Sequence, residues 1–337
     1  VGEWFDLTFY KNINGKLTQW EDHGLSASAG FWNSINGADL DNDGDIDYVL
    51  GNYGTNSLVK ATAECPTKIY SKDFDNNGSY DFIPTVFFKD KNDQLVETPY
   101  HVKGDLIKEL NGIRKSFVFY HQMANAPIDS IITKSMQKDA LISQVNYLNT
   151  AILINLGNGK FELKSLPALA QIAPTKGTII DDLDGDGNMD IVLVGNNYGS
   201  ELGIGRMDAG FGLVIEGDGK NNFKPMDIAT SGWMMRSDER ALARLANNGT
   251  SSLVCTNQNG PIKSYKKSSV EKLIFPKKSE TKVIFKDTNG KVVKISEIYL
   301  GNGYLSQSSK SVTVPKTATQ AVFYGIKNTR RSVQIVQ

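Results

Sequence analysis

Residues 38–52 read "ADLDNDGDIDYVLGN" and set five aspartates, Asp39, Asp41, Asp43, Asp45 and Asp47, at alternate positions around Gly44. Carboxylates this close repel one another and resist ionisation unless a positive charge sits among them. The spacing recurs as "DFDNNGSYD", with Asp73, Asp75, Asn77, Gly78, Ser79 and Asp81. It recurs again as "DLDGDGNMD", with Asp182, Asp184, Asp186, Gly187, Asn188 and Asp190. A hard cation such as Ca2+ takes about six to eight oxygens. Side chains at loop positions 1, 3, 5 and 9 and the chain at position 7 supply them, while glycine at position 6 permits the sharp turn. The Asp, Asn and Ser residues named in these three segments are the expected metal site, holding two to three structural calcium ions.

An EF-hand shares the first half of this pattern but needs a bidentate Glu at position 12 and a helix on each side. Position 12 here is Leu50, Pro84 and Leu193 in turn. The segments that follow, "IDYVLGN", "YDFIPTVFF" and "MDIVLVGN", are rich in β-branched and aromatic residues and end at turn signals. They read as strands, so these are loops between strands. A fourth copy, "ALARLANNGTSSLVCTNQNGPIKSY", keeps the frame without the ligands. Aligning Asn248-Gly249 with the loop turn puts Arg244, Ala246 and Ser252 where carboxylates stand elsewhere, so this copy is expected to hold no ion.

These loops, with their "LGNYGTN" and "VGNNYGS" punctuation and the later "NLGNGKFEL" and "EGDGKNNF", resemble FG-GAP/VCBS repeats. Those are the calcium-loop β-propellers that include the integrin α-subunit head. The resemblance spans roughly residues 10–268 and implies four-stranded blades around an axis, with calcium loops joining inner strands at one rim. Stacking blades buries faces that no blade can bury alone. The first two loops start only 34 residues apart, which implies a blade cut down to fit. About four repeats also make a shorter array than the usual seven blades, as a piece of a longer protein or an incomplete ring would.

Two stretches depart from the blade pattern. In "GDLIKELNGIRKSFVF", Leu106, Ile107, Leu110, Ile113 and Phe117 share a helical face, as do Ile128, Ile131, Ile132 and Met136 in "APIDSIITKSMQKDAL". They predict two amphipathic helices, within an insertion at about residues 101–142, packed on the rim or outer surface. From residue 269 short strands dominate, with a hairpin about Asn289-Gly290. The piece "EIYLGNGYLSQSSKSVTV" is similar to the ASPIC/UnbV module that commonly ends bacterial VCBS-repeat proteins. The fold expected is thus mainly β: a propeller, all or part, over residues 1–268, and a small β-domain over 269–337.

Net charge over the 337 residues is zero but unevenly spread: −11 over residues 1–260 and +11 over 261–337. A solvated basic surface opposite an acidic, ion-loaded neighbour accounts for the split better than a nucleic-acid patch does. No apolar run is long enough to span a membrane. The chain opens "VGEW", without an initiator Met or a signal-peptide pattern, as a processed form or a fragment would. Cys65 and Cys255 form no metal-spaced pair and read as buried free thiols. His23, His101 and His121 have no zinc-spaced partners and read as ordinary packed or surface residues.

No G-x-S-x-G elbow and no P-loop occur, and the glycine-rich "GIGRMDAGFG" (203–212) opens no helix. Carboxylates bound to calcium are poor proton donors, which argues against glycosidase-type acid pairs. The expected function is an extracytoplasmic, calcium-stabilised binding or assembly module, secreted or on the bacterial cell surface, without catalysis. Its ligand would be a protein or glycan, met within an envelope complex or a longer polypeptide. The alternative is a carbohydrate-active enzyme, a polysaccharide lyase or hydrolase using the propeller face.

Overall fold

Each aspartate loop leads into a strand, and the strands assemble into antiparallel sheets. The computed structural model describes residues 1–124, 126–200, 205–247, 249–267, 271–299, 301, 303–326 and 329–335. Along the chain come β1 (Glu3–Phe5), β2 (Phe9–Ile13), β3 (Lys16–Trp20), β4 (Gly30–Phe31), β5 (Ser34–Ala38) and β6 (Asp47–Gly51). Then follow β7 (Thr67–Lys72), β8 (Asp81–Lys89), β9 (Leu95–Pro99), the helices α1 (Lys103–Glu109), α2 (Ile113–Ser116), α3 (Tyr120–Ala124) and α4 (Lys134–Gln137), and β10 (Leu141–Val145). Next are β11 (Ala151–Asn155), β12 (Phe161–Ser165), β13 (Gly177–Asp181), β14 (Asp190–Val194), β15 (Leu213–Gly217), β16 (Phe223–Pro225) and α5 (Ile228–Ser231). A fourth set is β17 (Glu239–Asn247), β18 (Thr250–Asn257) and β19 (Lys263–Lys266). The tail holds β20 (Leu273–Ile274), β21 (Glu280–Lys286), β22 (Val292–Glu297), β23 (Val312–Thr313), β24 (Gln320–Gly325) and β25 (Arg330–Gln334).

The first sheet has the order β12-β11-β6-β5, and a second, β10-β7-β8-β9, is formed wholly by residues that intervene between β6 and β11. The first sheet is therefore not cut down. It pauses after Gly51 and resumes at Ala151, which pairs with Leu50 across the gap. The short spacing of the first two loops arises because one four-stranded sheet is nested inside another. The third sheet runs β13-β14-β15-β16 and the fourth β17-β18-β19.

The third sheet sits between the first and the fourth, and its residues show why. On β14, Ile191 and Leu193 join Leu40, Val49 and Ile152 of the first sheet in one buried cluster. Val192 and Val194 face the other way, into a cluster with Trp233, Met235, Leu242 and Cys255. Successive side chains on a strand point to opposite faces, so an unbroken apolar run marks a sheet covered on both sides. The first strands β5, β13 and β17 neighbour one another in that order. The fold is mainly β, built of several small antiparallel sheets, and the described residues form no closed barrel or complete propeller.

The insertion differs from the two predicted helices. Its described residues form four short helices and one 3-10 turn at Ile128–Ser130, since α1 ends where Leu110 turns extended before Asn111-Gly112. The predicted faces are nonetheless buried. Leu106, Leu110, Ile113, Ile128, Ile131 and Ile132 pack with Tyr70, Phe74 and Ile83 of the nested sheet.

The tail forms its own sheet, β22-β21-β24-β25, around Val283, Phe285, Ala321 and Phe323. Its β21–β22 hairpin turns at Gly290, with φ 79°, as expected. The boundary expected at residues 268–269 lies outside the described residues. Cys255 is buried and its thiol is pushed up to about 12 by that burial, but Cys65 is only half-buried, and both are free. No helix among the described residues is long and apolar enough to cross a membrane.

Candidate metal centres

The three loops adopt one conformation, and local hydrogen bonding accounts for it. The position-6 glycine takes φ 98° at Gly44, 89° at Gly78 and 102° at Gly187, and position 4 is left-handed too, at Asn42, Asn76 and Gly185. Each glycine N–H donates to the position-1 carboxylate: to Asp39 at 3.2 Å, Asp73 at 2.9 Å and Asp182 at 3.1 Å. Position 3 accepts from the position-5 N–H (Asp41 from Asp43, Asp75 from Asn77, Asp184 from Asp186). Position 5 accepts from position 7 (Asp43 from Asp45, Asn77 from Ser79, Asp186 from Asn188). Alternate acceptors thus coil the chain inward, as Asx-type bonds do in tight turns.

Position 9 closes the loop. Asp47, Asp81 and Asp190 are buried, and each accepts the N–H of position 2, from Leu40, Phe74 and Leu183. The second oxygens of Asp47 and Asp190 also hold the sheet edge, taking the N–H of Asn155 and of Gly217.

Three groups of carboxylates result, each with oxygens within 4.8 Å of one another: Asp39, Asp41 and Asp43; Asp73, Asp75 and Asp81; Asp182, Asp184 and Asp190. Oxygens this close can all reach one hard cation, since opposite oxygens around an ion at about 2.4 Å lie about 4.8 Å apart. At position 7, the Asp45 carboxylate joins no group. Asp45 and Ser79 are exposed, and the Asn188 amide donates to Asp186 while its oxygen accepts from Asn42. Asp47 and Asp186 also stand outside the groups, and Asn77 contributes an amide oxygen at most.

Oxygen-only donors fit a hard cation. The sharper observation is at Asp39, whose Oδ1 is buried and accepts no hydrogen bond. Burial, then the neighbouring Asp43 and Asp41, pushes Asp39 up to about 6. Burial likewise raises Asp47 and Asp190 to about 6, and raises Asp41 and Asp81. A divalent ion would supply the missing partner and favour the charged form.

Sequence reasoning missed Asn221. Buried between β15 and β16, it donates from Nδ2 to Asp41 Oδ2 at 2.8 Å, while Asn42 of the first loop bonds Asn188 of the third. The "EGDGKNNF" motif marks the turn, but nothing local tells which carboxylate it reaches.

The fourth copy departs from its alignment. Arg244, Ala246 and Ser252 lie in the β17–β18 ladder, paired with Leu253, Ser251 and Leu245, because a tight turn replaces the long loop. Asn248 lies outside the described residues. Among the described residues no carboxylate group forms there. The Arg244 guanidinium instead donates to Asp181, just before the third loop, at 2.9 Å, and to Thr313 and Ser311 of the tail.

The basic tail thus meets the acidic loops. Lys316 donates to the Gly185 carbonyl at 2.7 Å, and Lys267, just ahead of the tail, donates to that of Asp182 at 2.6 Å. Lys294, on β22, is half-buried against these sheets. Burial lowers its pKa, while Asp181, Asp182 and Asp39 push it back up. Ser306, Ser308 and Ser309, from the "GNGYLSQSS" stretch, bond the backbone of β17 at Leu242, Arg244 and Ala246. In these contacts, cations of the basic part of the chain meet the acidic part.

The histidines join no metal group among the described residues. His23 stacks on Phe9 and accepts the Leu25 N–H, and His121 stacks on Phe119. The glycine-rich stretch is described from residue 205 onward and opens no helix there. No protein-family model and no curated protein matches the chain.

Proposed function

We propose that the chain is a calcium-stabilised binding or assembly module of the FG-GAP/VCBS kind, exported from the cytoplasm, with an ASPIC/UnbV-like tail. The observation that carries this reading is a trio of converging carboxylates in each of three loops, with a buried and unpartnered Asp39 oxygen in the first. The ions are structural: they neutralise the loops and fix the ends of the strands that the loops join. Modest-affinity oxygen sites of this type fill at extracellular calcium levels, which favours an extracytoplasmic setting.

Calorimetric titration of the chelator-treated protein with Ca2+ tests it. Saturable binding at two or three sites is expected, with oxygen contacts at about 2.3–2.6 Å in a calcium-grown crystal. No heat and no density in any loop would sink the proposal, and octahedral contacts at about 2.1 Å would reassign the ion to Mg2+.

A further inference from the structure

The far end of the same strands carries a different chemistry. Asn33 precedes β5, Thr67 starts β7 and Lys176 precedes β13, and the opposite ends of these strands run into the three aspartate loops. Around these starting ends lies a cleft of about 410 Å3, within the roughly 300–1,000 Å3 typical of small-molecule sites. Its walls come from β7 and β8 of the nested sheet, from β1 and β4, and from the segments that flank strands of the first and third sheets.

Aromatic rings dominate the lining: Trp4, Phe31, Tyr53, Phe82 and Tyr100. Trp4 meets Phe31 edge-on at 4.9 Å, and Phe31 tilts against Tyr53 at 5.3 Å. Trp4 holds φ 66°, in the left-handed region that a bulky side chain avoids. Such strain persists where the surroundings fix it and concentrates at ligand clamps.

Polar groups are set among the rings. Glu3 makes no hydrogen bond or ion pair among the described residues, and neither does the Tyr53 hydroxyl. Lys176 is already engaged by the Asn33 amide oxygen and by the face of Tyr304 at 5.3 Å. His101 and Asn197 complete the polar lining. One acid and one cation leave the cleft without net charge to recruit an ion.

From this we infer that the cleft binds a neutral pyranose segment of a glycan. The apolar C–H faces of a sugar ring stack on the aromatic rings, and its hydroxyls donate to the free Glu3 carboxylate and pair with Tyr53. The inference deepens the binding-module reading and rests on it. The metal loops, at the other ends of the strands, hold the walls in place.

The test uses the full chain loaded with calcium and neutral tetrasaccharides of gluco, manno and galacto configuration, with an oligouronate and an apolar tetrapeptide as comparisons. Calorimetry and tryptophan fluorescence read the binding. Saturable binding of at least one neutral sugar is expected, weakened about tenfold or more by Glu3→Ala and by Trp4→Gly. Glycine accepts the Trp4 backbone angle, so Trp4→Gly removes the ring without the strain. Should Trp4→Gly fold poorly, Phe82→Ala, at a half-exposed position on β8, replaces it. Failure of every neutral sugar to bind, preference for the uronate or the peptide, or indifference to these substitutions would overturn the inference. Calcium-dependent melting without sugar binding sinks the cleft alone. Sugar binding without calcium dependence leaves the cleft standing and sinks the metal reading.

Discussion

The first and fourth sheets begin with the same hairpin and join its strands in opposite ways. Between β5 and β6 the chain spends a loop of five aspartates, and three of their carboxylates converge with one buried oxygen left bare. Between β17 and β18 it turns within two residues, and the nearby positive charge is its own Arg244, bonded to Asp181. Where a covalent cation sits beside the strand end, no carboxylate cage is present. Where carboxylates cluster, the proposed cation comes from solution. Calcium should therefore govern the first arrangement and leave the second untouched.

Chelation carries the largest expected effect. An ion that binds only the folded state contributes about 2.7 kcal/mol per site at a hundredfold excess over Kd. Stripping calcium from two or three sites should lower the melting temperature by more than any single substitution at the fourth hairpin. A melting temperature indifferent to EDTA would erase the distinction between the two sheets.

Next comes Arg244→Ala, which leaves Asp181 buried without its partner and costs about 3–5 kcal/mol. Urea unfolding with and without chelator should give the same decrement in both. A decrement that disappears on chelation would mean that Arg244 acts through the third loop.

The pH response is smaller and should change sign with calcium. Asp39, Asp47 and Asp190 hold protons up to about 6 in the metal-free fold, against about 3.9 when unfolded. The calcium-free protein should therefore lose stability as pH rises from about 4 to 6, because the folded state binds the extra protons. The calcium-loaded protein should instead lose stability as pH falls through that window, since protons displace the ion. Melting curves at pH 4.5 and 7.5 with EDTA or calcium check this, and parallel slopes would refute it.

The smallest effect separates two glycines. Gly44 and Gly249 both hold positive φ, 98° and 80°. Alanine at either costs about 1 kcal/mol of backbone strain. Only Gly44→Ala should also weaken calcium binding by calorimetry. Equal calcium affinity in both variants would show that the position-6 turn does not shape the site.

The loops were legible because their geometry is local. The carboxylates at positions 1 and 3 bond N–H groups two or five residues on, so spacing alone specifies the coil around Asp39, Asp73 and Asp182. The buried faces of the insertion were legible for the same reason, since periodicity reports which side of a helical turn is apolar. Its breaks were not, because the packing of Leu110 and Ile113 on the nested sheet decides where each helix stops. The alignment of the fourth copy failed because a tight hairpin and a long loop can carry the same Asn-Gly.

By itself, then, the sequence determined the three acidic turns, the alternation that buries β14 on both faces, and the opposite charges of its two parts. The tertiary structure alone decided that Ala151 completes a sheet left at Gly51, that Asn221 reaches Asp41, and that Arg244 reaches Asp181. It also gathered Glu3, Tyr53, Tyr100 and Lys176 around one cleft. The physical reason is range. Turn bonds and side-chain alternation act between near neighbours and leave a periodic trace. Contacts across 63, 101 or 180 residues depend on which apolar faces meet, and no spacing along the chain records that.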